Sequence, residues 1–443
     1  LLIMETLLVF SVGILAGLFA GILPGIGGLV CMTVAWPWLM TLEPANILIF
    51  YVSLISVDQF FNGITAIVFG IPGSNTSVPT MIEGHRLFRQ GRGGEAIMYS
   101  AIGSWFASLF SVLLIVAMLP ILYALYGLWS TTSQSLMFTF AVFVILLVSR
   151  NRWYVNLSLF GAGLVLAKVG FDESTYEEFG TFGLDLLYSG LPTLPVLAML
   201  FVLPMLLKSR VGHFDFPGVT VGAYWDSAKR LCSRYGRTLV RSGLLGSVGG
   251  FVPGLAYGFS SILAYTTERW MRRRRDQYRP GDMNCLIAAE SANNAGAFTQ
   301  LVPLLFLGIP ITATEVLIYH VLEARNLPVS IEWFSSTFEK VVLFFLVSSA
   351  VGLLLSAKYV NVVKVLNGVS LSHVYAGIML FLLGAIWYTG SLHYAGMDYV
   401  LIALMLMPLG VLLKNTDPTP LVIAFLLAEP LVDGWVRMVD LYF

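Results

Sequence analysis

The sequence predicts an all-α polytopic membrane protein: two inverted-topology repeats with broken, re-entrant helices and helical hairpins, in about 10–12 membrane segments. Three observations carry that expectation. Of the 443 residues, 57% are hydrophobic and only 11% charged, with a mean hydropathy of +0.83, whereas soluble domains carry about 25% charged residues. Long uncharged stretches follow one another along the whole chain, and proline and glycine interrupt several of them. Those interruptions recur, in order, in the second half.

A helix needs roughly 20 apolar residues to span a bilayer. Uncharged stretches lie at 6–42, 44–57, 59–82, 96–149, 153–167, 186–207, 242–267, 341–357, 365–397, 399–413 and 418–428, and 283–314 is uncharged apart from Glu290. Some are too short for a full span, and others hold a span plus a half-span. The opening Leu1-Leu2-Ile3-Met4-Glu5 lacks a basic leader and a small-residue cleavage site, so the first run reads as a retained membrane segment. Pro24-Gly25, Pro72-Gly73, Pro253-Gly254 and Pro310 sit inside the stretches. Broken backbone at membrane depth needs protein or water to satisfy its amides, which makes these breaks the first places to seek a site.

The breaks are duplicated. Gly21-Ile22-Leu23-Pro24-Gly25-Ile26-Gly27-Gly28 is answered by Gly250-Phe251-Val252-Pro253-Gly254-Leu255-Ala256-Tyr257-Gly258, so that Pro253 matches Pro24. Gly70-Ile71-Pro72 is answered by Gly308-Ile309-Pro310, and Ser74-Asn75-Thr76 by Thr312-Ala313-Thr314. The offset from Pro72 to Pro310 is slightly longer than that from Pro24 to Pro253, and the arginine-rich insert around 268–282 accounts for the difference. Two ordered pairs at nearly constant offset indicate duplication of one unit. The expected organisation is a first transmembrane repeat, 1–207, a basic cytoplasmic linker, 208–241, and a second, inverted repeat, 242–443.

Charge gives the orientation. Segments 83–95, 150–152, 208–241, 267–282 and 358–364, with Lys414, hold 21 of the 25 basic residues, while 171–190 carries five acids and no base. The positive-inside rule places the first group in the cytoplasm and the acidic segment outside. The segment after Pro72 is basic, but its counterpart after Pro310 holds Glu323, Glu332 and Glu339 against Arg325 alone. Opposite sidedness of equivalent loops implies inversion. Zero net charge offers no electrostatic footprint for nucleic acid, and the Arg272–Arg275 run reads as a topology anchor or a contact to anionic membrane lipid.

The chemistry is expected at the breaks. In Gly70–Ser77 a helix ends, turns on Pro-Gly and restarts through capping residues, so its new N-terminus suits an anion. Gly73, Ser74, Asn75, Thr76 and Ser77, with Thr312 and Thr314, are the candidate substrate ligands. Unwound carbonyls at Leu23, Gly25, Gly27, Val252 and Gly254 suit Na⁺, a cation that prefers oxygen. Asp58, Glu290 and Glu315, with the amides of Asn293 and Asn294, are candidates for coupling; each acid also has an ordinary reading as a hydrogen-bonded structural group. Isolated Pro-Gly pairs are common kinks, and it is their repetition that favours a site. The three cysteines and five histidines form no metal-ligand spacing, so neither a transition metal nor another cofactor is expected. A Walker motif and HExxH are absent, so neither a primary pump nor an enzyme is expected.

The pattern resembles the large membrane subunit of the tripartite tricarboxylate transporters. It is carried by Leu23–Gly27, Ile71–Ser74, Gly91-Arg92-Gly93-Gly94-Glu95-Ala96, Pro253-Gly254, Glu290–Ala295 and Leu307–Pro310, across nearly the whole chain. The resemblance implies ion-driven uptake of a carboxylate, tricarboxylate or dicarboxylate, across the bacterial inner membrane. It also implies two partners, a small transmembrane subunit and a periplasmic solute-binding protein. A homo-oligomer is compatible with it. Departures from the family pattern are Asn75 where a proline is usual, Glu83-Gly84-His85-Arg86, Ala256, Ile311 and Glu315. Two other readings stand beside this one: a standalone carrier or channel of the same fold, with proton coupling, and a membrane enzyme acting on lipid or quinone.

Overall fold

The computed structural model describes residues 2–23, 26–70, 75–126, 130–149, 151–172, 176–208, 224–251, 256–325, 331–358 and 370–442. These form an all-α polytopic membrane protein. Among the described residues, seven helices are long and apolar enough to cross a membrane, and four shorter apolar helices accompany them. The one sheet among them is a hairpin, β1 (Gly170–Asp172) with β2 (Glu177–Phe179), inside the acidic segment.

The first half comprises α1 (Leu2–Ile22), α2 (Gly28–Leu39), α3 (Pro44–Phe69), a 3-10 turn (Asn75–Ser77), α4 (Val78–Leu87) and α5 (Gly93–Tyr126). It continues through α6 (Thr131–Val148), α7 (Trp153–Ala167), α8 (Thr193–Val196) and α9 (Leu203–Lys208). Helix α3 runs unbroken through Asp58, where the apolar stretches part. Ser53, Ser56, Asp58, Gln59, Asn62 and Thr65 are all buried along it, so their polar groups face protein and the helix has no reason to stop. The basic segment after the first tip is also helical. Here α4 joins α5 through a π-helical turn, Phe88–Arg92, in which Gly91 takes φ 79°.

The second half comprises α10 (Tyr224–Gly250), α11 (Ala256–Arg274), α12 (Met283–Thr299), α13 (Leu301–Leu307), α14 (Ala313–Ala324) and α15 (Ile331–Ala357). Leu371–Ser391, Gly396–Leu412 and Thr419–Tyr442 are helices that complete it. Helix α10 crosses the expected 241/242 boundary without a break, so residues 224–241 are helical. Leu231, Tyr235, Thr238 and Ser242 are buried at helical spacing, while Arg230, Arg234 and Arg237 are exposed between them. The charge that suggests a loop is the outer face of an amphipathic helix. The remainder of that segment, 209–223, lies outside the described residues.

Small residues set the helix pairing. A side chain at Gly17 or Gly21 of α1 would meet the carbonyl oxygens of Leu54 and Asp58 on α3. One at Gly246 or Gly250 of α10 would meet those of Ala292 and Gly296 on α12. The two glycine pairs stand at the offset of Pro24 from Pro253, and the two carbonyl pairs at the offset of Pro72 from Pro310. Close backbone approach through glycine supports helix association where lipid leaves no hydrophobic drive. Polar contacts reach outer helices too: Ser56 of α3 bonds Ser349 of α15 at 2.8 Å, and Asn294 of α12 donates to Ser104 of α5 at 2.7 Å.

Helices α3 and α12, related in sequence by the offset of Pro72 from Pro310, are both buried and run antiparallel. Gly63 faces Glu290, Gln59 accepts from Asn293 at 2.6 Å, and Tyr51 accepts from Gln300 at 3.4 Å.

Candidate functional site

Both tips start from the same local event. Helix α3 ends at Gly70, φ 63° and ψ 26°, whose N–H donates to Ala66. Helix α13 ends at Gly308, φ 67° and ψ 23°, whose N–H donates to Leu304. A left-handed residue here terminates the helix and turns the chain, and glycine adopts it without strain. The His85 ring closes over Gly70, with Nδ1 3.1 Å from the Ile67 carbonyl oxygen.

At the first tip, Gly73 and Ser74 lie outside the described residues, as does the Asn75 side chain. The Asn75 backbone opens the 3-10 turn, and Thr76 and Ser77 are buried. The turn packs against α11, the helix that follows the second bend. At the second tip, α14 packs against α2, the helix that follows the first bend. Each tip therefore sits against the opposite half.

The second tip carries a capping box. Thr312 is the N-cap residue of α14, and its Oγ1 accepts the Glu315 N–H at 3.2 Å. Glu315 Oε2 in turn accepts the N–H groups of Ile311 at 2.9 Å and Thr312 at 3.2 Å. This capping box gives Glu315 a role in helix initiation. Thr314 is half-buried in the first turn.

At the bends, Gly25, Val252 and Gly254 lie outside the described residues. Leu23 is buried, and its carbonyl accepts the Ile26 N–H at 3.2 Å. Gly27 is extended, with φ −82° and ψ 174°, and its carbonyl accepts the Cys31 N–H at 3.2 Å. Among the described residues, one such hydrogen bond is seen at each of these two oxygens.

A further cluster lies on the α3–α12 seam. It brings together Gln59, Glu290 and Asn293, with Thr80 of α4 and Ser100 of α5. Glu290 is fully buried. Its Oε1 accepts from the Thr80 hydroxyl, and Ser100 also bonds the carboxyl. Gln59 Nε2, Glu290 Oε2 and Asn293 Oδ1 have no hydrogen-bond partner among the described residues. Buried polar atoms are normally paired, so three orphans on one seam mark it as polar beyond structural need. Asp58 is buried on α3, and Asn294 turns the other way, to α5.

Two further contacts escape the sequence patterns. Glu83 is fully buried and accepts four hydrogen bonds, from Tyr265 (3.1 Å), Tyr278 (2.9 Å), and the N–H groups of Gly281 (2.8 Å) and Asp282 (3.1 Å). Burial first, and then the bond to Glu83, raise the Tyr278 phenol above its ordinary range. Gln90 donates to the Pro280 carbonyl at 3.3 Å. On the other half, Arg325 after α14 donates to the Leu42 carbonyl. Leu42 and Pro280 stand at the same offset as Gly70 and Gly308, so each tip helix is tied to the equivalent loop of the opposite half. The acid in Glu83-Gly84, so soon after a tip, was the available signal.

Comparison with known proteins places the site in context. The family described as "Tripartite tricarboxylate transporter TctA family" has a model that matches residues 7–423. An uncharacterized 52.8 kDa protein in the TAR-I ttuC' 3' region of Agrobacterium vitis is 30% identical over 301 residues, 68% of this chain and 60% of that protein. An uncharacterized protein of Methanocaldococcus jannaschii is 24% identical over 209 residues, 45% of this chain and 52% of that protein. The matches thus span between half and two thirds of these relatives' own length. No solved structure matches the chain significantly.

Proposed function

The chain belongs to the tripartite tricarboxylate transporter TctA family, and from that premise we propose that it is the large membrane subunit of an ion-coupled importer. The solute is a carboxylate, handed over by a periplasmic binding protein, and the membrane is the bacterial inner membrane. A small transmembrane subunit completes the system.

The observation that carries this reading is the pair of helices broken at Gly70 and Gly308, each seated against the opposite half. Antiparallel packing of the equivalent helices α3 and α12 supports inverted repeats, the layout of secondary transporters. Two such halves can expose one midplane site to either side by moving against each other. Ser74, Asn75 and Thr76 are the proposed first-tip ligands of the solute carboxylate, at the start of a helix where amide N–H groups and the dipole favour an anion.

Import of an anion works against an inside-negative potential of ~2.3 kcal/mol per charge per 100 mV. Co-transported cations offset that cost. The bends at Leu23–Gly27 and Val252–Gly254 are the proposed Na⁺ sites, because they offer neutral oxygens and no group that must lose a proton.

Uptake into proteoliposomes containing both membrane subunits tests the reading. An inward Na⁺ gradient with loaded binding protein should drive accumulation of a carboxylate, and a pH gradient alone should not. Accumulation that ignores both Na⁺ and the binding protein would overturn it in favour of a standalone, proton-coupled carrier.

A further inference from the structure

We propose that the outer flank of α10 is a binding site for one anionic phospholipid, with the phosphate on Arg237 and an acyl chain laid along Val240 and Leu244. The site lies apart from the tips, the bends and the seam, so it stands whichever solute the protein carries.

Helical spacing sets the stripe. Arg230, Arg234 and Arg237 are exposed in the first half of α10, and Val240, Leu244 and Val248 are exposed in the second. Steps of three and four residues keep all six on one outer face. Along that face the helix changes from guanidinium to hydrocarbon, as a lipid changes from headgroup to tail. At the change lies a groove of about 560 Å³, lined among the described residues by Gly236, Arg237, Val240, Arg241, Leu244 and Leu245.

Charge selects the headgroup. Arg241 is engaged by Glu268, which is buried, and Arg272 by Asp282, so those two charges are neutralised within the protein. Arg237, one turn from Arg241, has no ion pair or hydrogen bond among the described residues. An unpaired guanidinium at a membrane surface favours a phosphate, which it can hold through two parallel N–H bonds.

The neighbouring helix marks the same depth independently. Arg241 pairs with Glu268, and Ser260 donates to the Gly246 carbonyl at 3.0 Å, so α11 runs antiparallel beside α10. On α11, Ile262, Trp270 and Arg274 are exposed in that order, and the Arg274 guanidinium stacks 4.2 Å from the Trp270 ring centre. Tryptophan marks the membrane interface, and arginine reaches past it to the headgroups. Both helices thus pass from charge to hydrocarbon at one level. The positive-inside rule puts that level on the cytoplasmic side, where the leaflet is rich in anionic lipid.

Native mass spectrometry of the full chain, released from micelles carrying equal amounts of phosphatidylglycerol and phosphatidylcholine, tests this. Wild type should retain phosphatidylglycerol over phosphatidylcholine by about fivefold or more, the scale of one base at a membrane surface. Arg237→Gln should remove most of that preference. Arg275→Gln, which takes the same charge from an exposed position just beyond α11, should leave it. Glycerol 3-phosphate, a phosphate ester without chains, should not displace the lipid. Equal losses in the two variants would reduce the site to general attraction between a basic surface and anionic lipid. Displacement by glycerol 3-phosphate would reduce it to an anion site without a chain. Either result would overturn the proposal, as would equal retention of both lipids by wild type, or a second copy of the chain held in place of lipid.

Discussion

Gly70 and Gly308, the matching glycines of the two tips, end their helices in one conformation, φ/ψ 63°/26° and 67°/23°. Their surroundings differ, because the His85 ring lies where a side chain on Gly70 would go. Alanine in the left-handed region costs about 1 kcal/mol. Gly308→Ala should lose about that much, and Gly70→Ala more. His85→Ala in the Gly70→Ala background should recover the difference. Thermal unfolding of the four proteins checks this, and equal losses for the two glycines would contradict the His85 contact.

The fold class was legible because composition and repeated Pro-Gly breaks report directly on lipid and on broken helices. Asp58 and the arginines of 224–241 lie inside helices for one reason. A charged residue looks like a segment end until its burial is known, and burial is a tertiary property. Asp58 lies inside α3 because α1 and α12 cover that helix, and Arg230, Arg234 and Arg237 lie on α10 because Leu231, Tyr235 and Thr238 bury the other face. At the candidate site the second tip was legible as a helix start, capped by Thr312. The seam was not: Gly63, Gln59 and Thr80 gain meaning only once α12 is known to run beside α3 and α4. The stripe Gly13, Gly17, Gly21 against Ser242, Gly246, Gly250 was within reach, since it keeps the offset of Pro24 from Pro253.

That stripe gives a paired prediction. Gly17 and Gly246 each abut a carbonyl of the facing helix. Valine at either position should separate the helices at a cost of about 1–3 kcal/mol, while valine at Gly377, which has open space beside it, should give no such steric penalty. Apparent melting temperatures in one detergent check the comparison. A small effect at Gly246 alone would show that the second pair is looser than the first.

Tyr278 gives a pH signature outside the membrane. Its phenol is raised above the ordinary value, by burial and by Glu83, so the folded state retains a proton that the unfolded state releases first. Its contribution is fully present below about pH 10, the unfolded value, and is lost as pH rises through the folded one. Wild type should therefore lose stability above about pH 10. Tyr278→Phe should be less steep there. Glu83→Ala should destabilise at all pH values, because it strands two phenols and two amides. Unfolding midpoints between pH 8 and 11 supply the measurement.

Gly63 and Glu290 supply the most specific test of the central seam. A Cβ on Gly63 would fall on the Glu290 carboxylate oxygens, and the surrounding α3–α12 contact is fully buried, so neither group can turn outward. Gly63→Ala alone should cost about 1–3 kcal/mol as overpacking. Glu290→Ala alone should cost about 1–3 kcal/mol, since it strands the Thr80 and Ser100 hydroxyls while removing an orphaned buried oxygen. In the double variant the new methyl enters the space left by the carboxyl. The two changes should therefore combine to less than their sum, with a coupling of about 1 kcal/mol or more. Strict additivity would mean that the two residues do not touch, and the antiparallel register of α3 on α12 would have to be redrawn.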